Sequence, residues 1–226
     1  MPDAKQTEVL ESRSARILLN CCRQWGKSTT TAARAVHQAL YRPGTFVLAV
    51  SPTVRQTVEL FRKMEAMLVR CGVHPRGDGD HPVSLALPEG SRIVGVPARE
   101  ANIRGYSSVD LLIVDEAARV PDAVYHALRP MLAIRGGAIV LLSTPCGERG
   151  FFHAEWTNRL AHWERISVKA TDCPRIAPAF LREEYEALGD FWFRQEYLCE
   201  FHAAPGQLFT DEMIARAAAP NEKSWF

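Results

Sequence analysis

Apolar positions in this chain follow two rhythms that alternate along its length. Short, nearly unbroken apolar runs at residues 17–20, 46–51, 111–114 and 138–142 read as strands, and 163–168 reads as a last one. Runs without a polar face are typical of strands buried on both sides, as in a parallel sheet. Between them lie segments compatible with helix: 29–41, 54–71, 121–132, 150–160, 178–188 and 191–201. In the second of these, Val58, Phe61, Met64, Ala66 and Leu68 form a stripe near the helical period. Pro130 interrupts the third. Residues 83–87 and 92–96 flank the turn Pro88-Glu89-Gly90 and predict a small hairpin, preceded by a loop over 73–82. Strand–helix alternation predicts an α/β fold, a mainly parallel sheet sandwiched between helices. The pattern thins at Ala203-Ala204-Pro205-Gly206, so a domain over 1–202 and a tail over 203–226 are expected.

Composition narrows the class. A chain of 226 residues that is 47% hydrophobic can fill one α/β core. Its 27 basic and 26 acidic residues leave a net charge of +1, which excludes a bulk polycation while allowing a local basic surface. No apolar run approaches the ~20 residues of a membrane span, and residues 1–16 lack the apolar core of a signal segment. Six scattered cysteines without a C-x-x-C pair favour a reducing, cytoplasmic setting. Cys71, His74 and His81 are close in sequence but lack a fourth metal ligand, and read as a polar loop.

The chemistry concentrates in two segments. Cys21-Cys22-Arg23-Gln24-Trp25-Gly26-Lys27-Ser28-Thr29 follows the first strand and opens the first helix. Strand, tight loop and Gly-Lys-Ser at a helix start are the layout of a phosphate-binding loop, where backbone amides and the helix dipole meet a polyphosphate. Lys27 is placed to reach the β and γ phosphates and Ser28 to bind Mg²⁺. The usual pattern begins with glycine at the position held here by Cys21. The second segment, Leu111-Leu112-Ile113-Val114-Asp115-Glu116, brings two carboxylates out at the end of a buried strand, where open α/β sheets hold their ligands. Asp115 suits Mg²⁺, and Glu116 suits activation of a water. A third strand ends in Ser143-Thr144-Pro145, hydroxyls able to sense a γ-phosphate.

Together these segments resemble the ATPase domain of the large terminase subunit of tailed bacteriophages. The likeness runs from Gln6, through Arg23-Gln24-Trp25-Gly26-Lys27-Ser28, Ser51-Pro52-Thr53, Ile103-Arg104-Gly105, Asp115-Glu116 and Leu142–Gly147, to Phe193-Arg194-Gln195-Glu196-Tyr197. The family's loop also lacks the first glycine. The resemblance implies a P-loop NTPase fold of the additional-strand, catalytic-glutamate type, with ATP and Mg²⁺ as cofactors. It implies that Gln6 contacts adenine, that Arg23 touches the γ-phosphate, and that Gln24, Gly26, Lys27, Ser28 and Thr29 line the nucleotide. It further implies that Ser28 and Asp115 hold the metal, that Glu116 is the general base, and that Ser143 and Thr144 couple hydrolysis to movement. Arg104 becomes a candidate arginine finger, in cis or in trans, with a structural salt bridge as its alternative. Double-stranded DNA, a portal protein, a small terminase subunit and a homo-oligomeric ring follow as partners, in the host cytoplasm. Arg55, Arg62, Lys63 and Arg70 could meet DNA phosphates, though a solvated helix face accounts for them. Terminases continue into a nuclease domain. Asp211 and Glu212 alone cannot build a two-metal site, so DNA cleavage is not expected. A helicase-like translocase and a non-catalytic assembly module are the alternatives.

Overall fold

The computed structural model describes residues 1–99, 103 and 105–203. In chain order the elements are α1 (Ala4–Glu11), β1 (Arg16–Cys21), α2 (Lys27–Tyr41), β2 (Phe46–Ser51), α3 (Val54–Arg70), β3 (Ser84–Ala86), β4 (Arg92–Pro97), β5 (Leu111–Asp115), α4 (Asp122–Leu128), β6 (Ala138–Ser143), α5 (Gly150–Thr157), β7 (Glu164–Val168) and α6 (Pro178–Glu196). The strands form one seven-stranded sheet in the order β3-β4-β2-β5-β6-β1-β7. All neighbours pair in parallel except β3 with β4.

The unbroken apolar runs are explained by two cores. Ile17, Leu19, Val47, Ala49, Ile113, Val140 and Leu142 point to one face, against α1, α2, α3 and α6. Their neighbours Leu18, Leu48, Val50, Leu112, Val114, Ile139 and Leu141 point to the other, against α4 and α5. Side chains of the central strands β1, β2, β5 and β6 are therefore buried whichever way they point, apart from Arg16 and Ala138 where β1 and β6 begin, and the helices make the sandwich expected from the alternation.

Strand order places the chemistry. β6 lies between β1 and β5, so the strand before the phosphate-type loop and the strand ending in Asp115 are separated by one additional strand. The register sets Asn20 beside Ser143 and Asp115 beside Leu142, which brings the three carboxyl ends to one edge. The hairpin is present as β3 and β4, and β4 also pairs with β2, extending the main sheet. Gly95 lets α3 seat against β4: a Cβ there would sit 2.5 Å from Thr57 Cγ2 and 2.6 Å from Phe61 Cε2.

Several sequence expectations need correction. The buried stripe of α3 is Thr57, Leu60, Phe61, Met64 and Leu68, whereas Ala66 is exposed and Val58 half-buried. The two terminal helices join as α6, kinked at Gly189 where φ is 73°, and this helix stops at Glu196 instead of 201. Helix α5 ends at Thr157, short of 160. Helix α1 arises in a segment whose polarity gave no helical signal, held by an Asp3–Gln6 capping box. The four basic residues of α3 are exposed, and Arg62 pairs with Glu59. No described helix is long and apolar enough to cross a membrane. Residues 204–226, Asp211 and Glu212 among them, lie outside the described residues.

Candidate nucleotide site

The loop between β1 and α2 is fastened from below. Trp25 is buried, and its indole Nε1 donates to Asp3 Oδ2 at 3.1 Å. The Trp25 carbonyl accepts from Gln6 Nε2 at 3.0 Å and from Arg175 Nη2 at 2.6 Å. Cys21, in the place of the usual glycine, points into the core, and burial pushes its thiol pKa up. Gly26 then turns the chain with φ of 100°, a conformation that disfavours any side chain. A Cβ there would also meet Gln6 Nε2 at 2.9 Å. Helix α2 starts directly after this turn, and no side chain caps it. Helix starts leave backbone N–H groups without intrahelical partners, so this one is open to an anion.

Lys27 and Ser28, the first two residues of α2, face β5 and β6. The Lys27 ammonium is almost fully buried, 3.2 Å from Thr144 Oγ1 and 3.2 Å from Glu116 Oε1. Ser28 Oγ lies 3.2 Å from both carboxylate oxygens of Asp115. Asp115 is 5% exposed. Burial, then the neighbouring Glu116 charge, pushes its pKa up to about 6, against opposing help from Lys27 and Ser28. Glu116 adopts the left-handed region at φ of 50°, unusual for a residue with a side chain, and its amide donates to Asp115 Oδ1 at 3.0 Å. Ser143 Oγ accepts from the Ala118 amide at 3.2 Å, donates to the Thr144 carbonyl at 2.7 Å, and lies 3.4 Å from Glu116 Oε2.

Six of the residues singled out in the sequence thus converge: Lys27, Ser28, Asp115, Glu116, Ser143 and Thr144. Gln6 reaches the loop through the Trp25 carbonyl, while its Oε1 accepts from the Asp3 amide. Gln24 and Thr29 are exposed beside it. Arg23 stands apart. Its Nε donates to Glu196 Oε2 at 2.6 Å, its amide donates to the Glu196 carbonyl at 3.3 Å, and its side chain is 60% exposed. Arg104 lies outside the described residues.

Arg119 is not among the residues singled out in the sequence, and Gln195 is named there only within the Phe193–Tyr197 likeness, without a place at the site. Arg119, closing a 3-10 turn over Ala117–Arg119, places Nη1 3.0 Å from Glu116 Oε2 and Nη2 3.5 Å from Glu196 Oε1. Gln195 is buried, accepts from the Gly147 amide at 3.3 Å, and donates to Glu196 Oε1 at 3.3 Å. An arginine three residues after an acidic pair is a weak signal. A Gln-Glu pair at the end of a helix is weaker still, because its partners come from elements remote in sequence.

A buried lysine, a hydroxyl and two carboxylates around an open helix start can hold a phosphorylated ligand together with a cation. The family model described as "Terminase large subunit, T4likevirus-type, N-terminal" matches residues 18–216. The chain belongs to the terminase large subunit family. The terminase large subunit of Thermus virus P23-45 is 27% identical, over 92% of this chain and 50% of that protein. The chain therefore spans half the length of this curated terminase. The ATPase domain of the large terminase of Thermus phage P74-26 matches with a TM-score of 0.75 and 25% identity, covering 89% of this chain and 94% of that one. The large terminase of a thermophilic bacteriophage, solved in complex with ADP, shares the fold, with a TM-score of 0.75 at 14% identity, over 89% of this chain and 54% of that one.

Proposed function

We propose that this chain binds ATP with Mg²⁺ and hydrolyses it, and that hydrolysis drives double-stranded DNA into a viral procapsid. The convergence of Lys27, Ser28, Asp115, Glu116 and Thr144 on the uncapped start of α2 carries this reading. Membership in the terminase family and the ADP held by the thermophilic-phage relative support it. The P74-26 neighbour, an ATPase domain by name, points the same way.

The residues present fit a divalent cation. Asp115 is a buried carboxylate whose negative charge is under-compensated, as its raised pKa shows. The Ser28 hydroxyl stands at equal distances from both its oxygens. Hard oxygen donors of this kind suit Mg²⁺. Ser28 and Asp115 would hold the ion, which supplies neutralising charge to the phosphates.

The chain's own residues do the rest. Lys27 turns from Glu116 toward the phosphates, and the loop amides over 24–29 cradle them, Gln24, Gly26 and Thr29 among them. Glu116, released from the lysine, accepts a proton from the attacking water. Ser143 contacts Glu116 and Thr144 contacts Lys27, so their hydrogen bonds change when the lysine moves. Arg23 contacts the γ-phosphate after leaving Glu196, and Gln6 lies at the base of the loop for adenine. Arg104 acts as the arginine finger, as the family likeness implies. A portal protein, a small terminase subunit and a homo-oligomeric ring are the assembly partners, in the host cytoplasm.

Glu116→Gln is the test. ATP binding should persist, while phosphate release falls about a hundredfold, the expected loss for general-base help. Equal rates from wild type and variant would remove Glu116 from the base role.

A further inference from the structure

Glu116 is gripped from two sides, and the grips differ in permanence. Lys27 holds Oε1 at 3.2 Å. On the reading above, to which this inference adds, that lysine leaves for the phosphates when nucleotide arrives. Arg119 holds Oε2 at 3.0 Å from inside the same 3-10 turn, and its amide donates to the Glu116 carbonyl at 2.9 Å. Backbone and side chain are both tied to Glu116, so this grip has no reason to let go. A left-handed backbone aims the Glu116 side chain away from the ordinary strand direction, and the carboxylate would otherwise sample several rotamers. A planar guanidinium with donors in a fixed fork selects one orientation.

Arg119 is itself held. Its second nitrogen faces Glu196 Oε1 at 3.5 Å. Glu196 also accepts from Arg23 Nε through Oε2 and from Gln195 Nε2 through Oε1. Gln195 is buried against the Gly147 amide, just beyond β6. The end of α6 is thus a fixed acidic post, against which both the loop arginine and Arg119 lean.

We propose that Arg119 is a positioning residue, aiming the Glu116 carboxylate at its water once Lys27 has left, and that Glu196 sets the place of Arg119. An ion pair serving stability alone would contribute little at this partial exposure and would not distinguish binding from turnover.

The experiment measures ATP affinity and single-turnover hydrolysis separately on the full chain. Arg119→Ala should lower the hydrolysis rate about 10- to 100-fold, the scale of a misplaced reacting group, with the Kd for Mg-ATP changed less than about twofold. In a Glu116→Gln background the same substitution should change the residual rate less than about twofold, because no base remains to aim. Arg119→Lys should restore part of the rate, since an ammonium keeps the charge and loses the fork. In an Arg23→Ala background, where the other ion pair of Glu196 is gone, Glu196→Gln should slow hydrolysis about 3- to 10-fold and add nothing to Arg119→Ala, as expected of residues acting as one unit. An Arg119→Ala enzyme as fast as wild type overturns the proposal. So does a loss repeated in full on Glu116→Gln. If the alanine variant does not fold, Arg119→Gln is read against the same two outcomes. A Glu116→Gln protein with wild-type turnover would instead strike down the general-base reading itself.

Discussion

Replacing Asp115 by asparagine should make the nucleotide-free protein more stable and the nucleotide-bound protein less so. The carboxylate is 5% exposed and its pKa rises from an ordinary 3.8 to about 6, chiefly through burial and then through Glu116. A carboxyl whose pKa rises on folding favours the folded state only while protonated. The penalty is absent below about pH 3.8, grows as pH climbs through the interval to about 6, and is complete above it. That interval corresponds to roughly 3 kcal/mol, at about 1.36 kcal/mol per pH decade. Asparagine has the shape of the neutral form and keeps an oxygen for the Glu116 amide, now 3.0 Å from Asp115 Oδ1. At pH 7.5 with a chelator present, Asp115→Asn should melt about 6–12 °C above wild type, using 2–4 °C per kcal/mol for a chain of this size. The gap should close as pH falls toward 4. Adding Mg-ATP should raise the wild-type midpoint and leave the variant nearly unmoved, since binding stabilises only a competent site. Differential scanning fluorimetry across pH, with and without nucleotide, reads all three. A variant melting at or below wild type at pH 7.5 would mean that Lys27 and Ser28 already neutralise the charge, and the argument for a cation-seeking carboxylate would fall.

Two further expectations follow from close packing and shared anchors. Gly95→Ala forces a methyl against Thr57 and Phe61, so it should cost about 1–3 kcal/mol by overpacking; Thr57→Ser, which deletes the Cγ2 at 2.5 Å, should return part of it in a thermal melt. Asp3→Ala removes the acceptor for the Gln6 amide, the Trp25 indole and the Arg175 guanidinium together. It should cost about 1–3 kcal/mol and weaken Mg-ATP binding several-fold by loosening the loop, measured by chemical denaturation and titration calorimetry.

The parts of this molecule that could be read from sequence are those where residue type and local order coincide. Unbroken apolar runs ending in Asp115-Glu116 or Ser143-Thr144 have one economical fate, a strand buried on both faces with its polar end at the rim. Gly26-Lys27-Ser28 after such a run fixes the loop. What could not be read depends on contacts between remote segments. Helix α1 has a polar sequence and is held by its capping box, by buried Val9 and by the Trp25 loop. The stop of α6 at Glu196 comes from competition. Beyond it, the Tyr197 carbonyl accepts from the Ala170 amide at 2.7 Å and the Cys199 carbonyl from Asn20 Nδ2 at 2.8 Å, bonds that a continued helix would forbid. The family resemblance implies that Arg23 is a phosphate ligand, yet here Glu196 claims it. Arg119 carries only a weak signal, because an arginine after an acidic pair is ordinary until the fold brings Glu196 across from α6.

The seating of β6 between β1 and β5 has a mechanical consequence. Hydrogen-bonded along both edges by strands that are themselves paired on both edges, that strand resists bowing sideways. Any shove at Thr144 must therefore exit through the connection that follows, where the Gly147 amide rests on Gln195. If nucleotide turnover works as proposed, the sheet acts as an anvil and the recoil is delivered to α6.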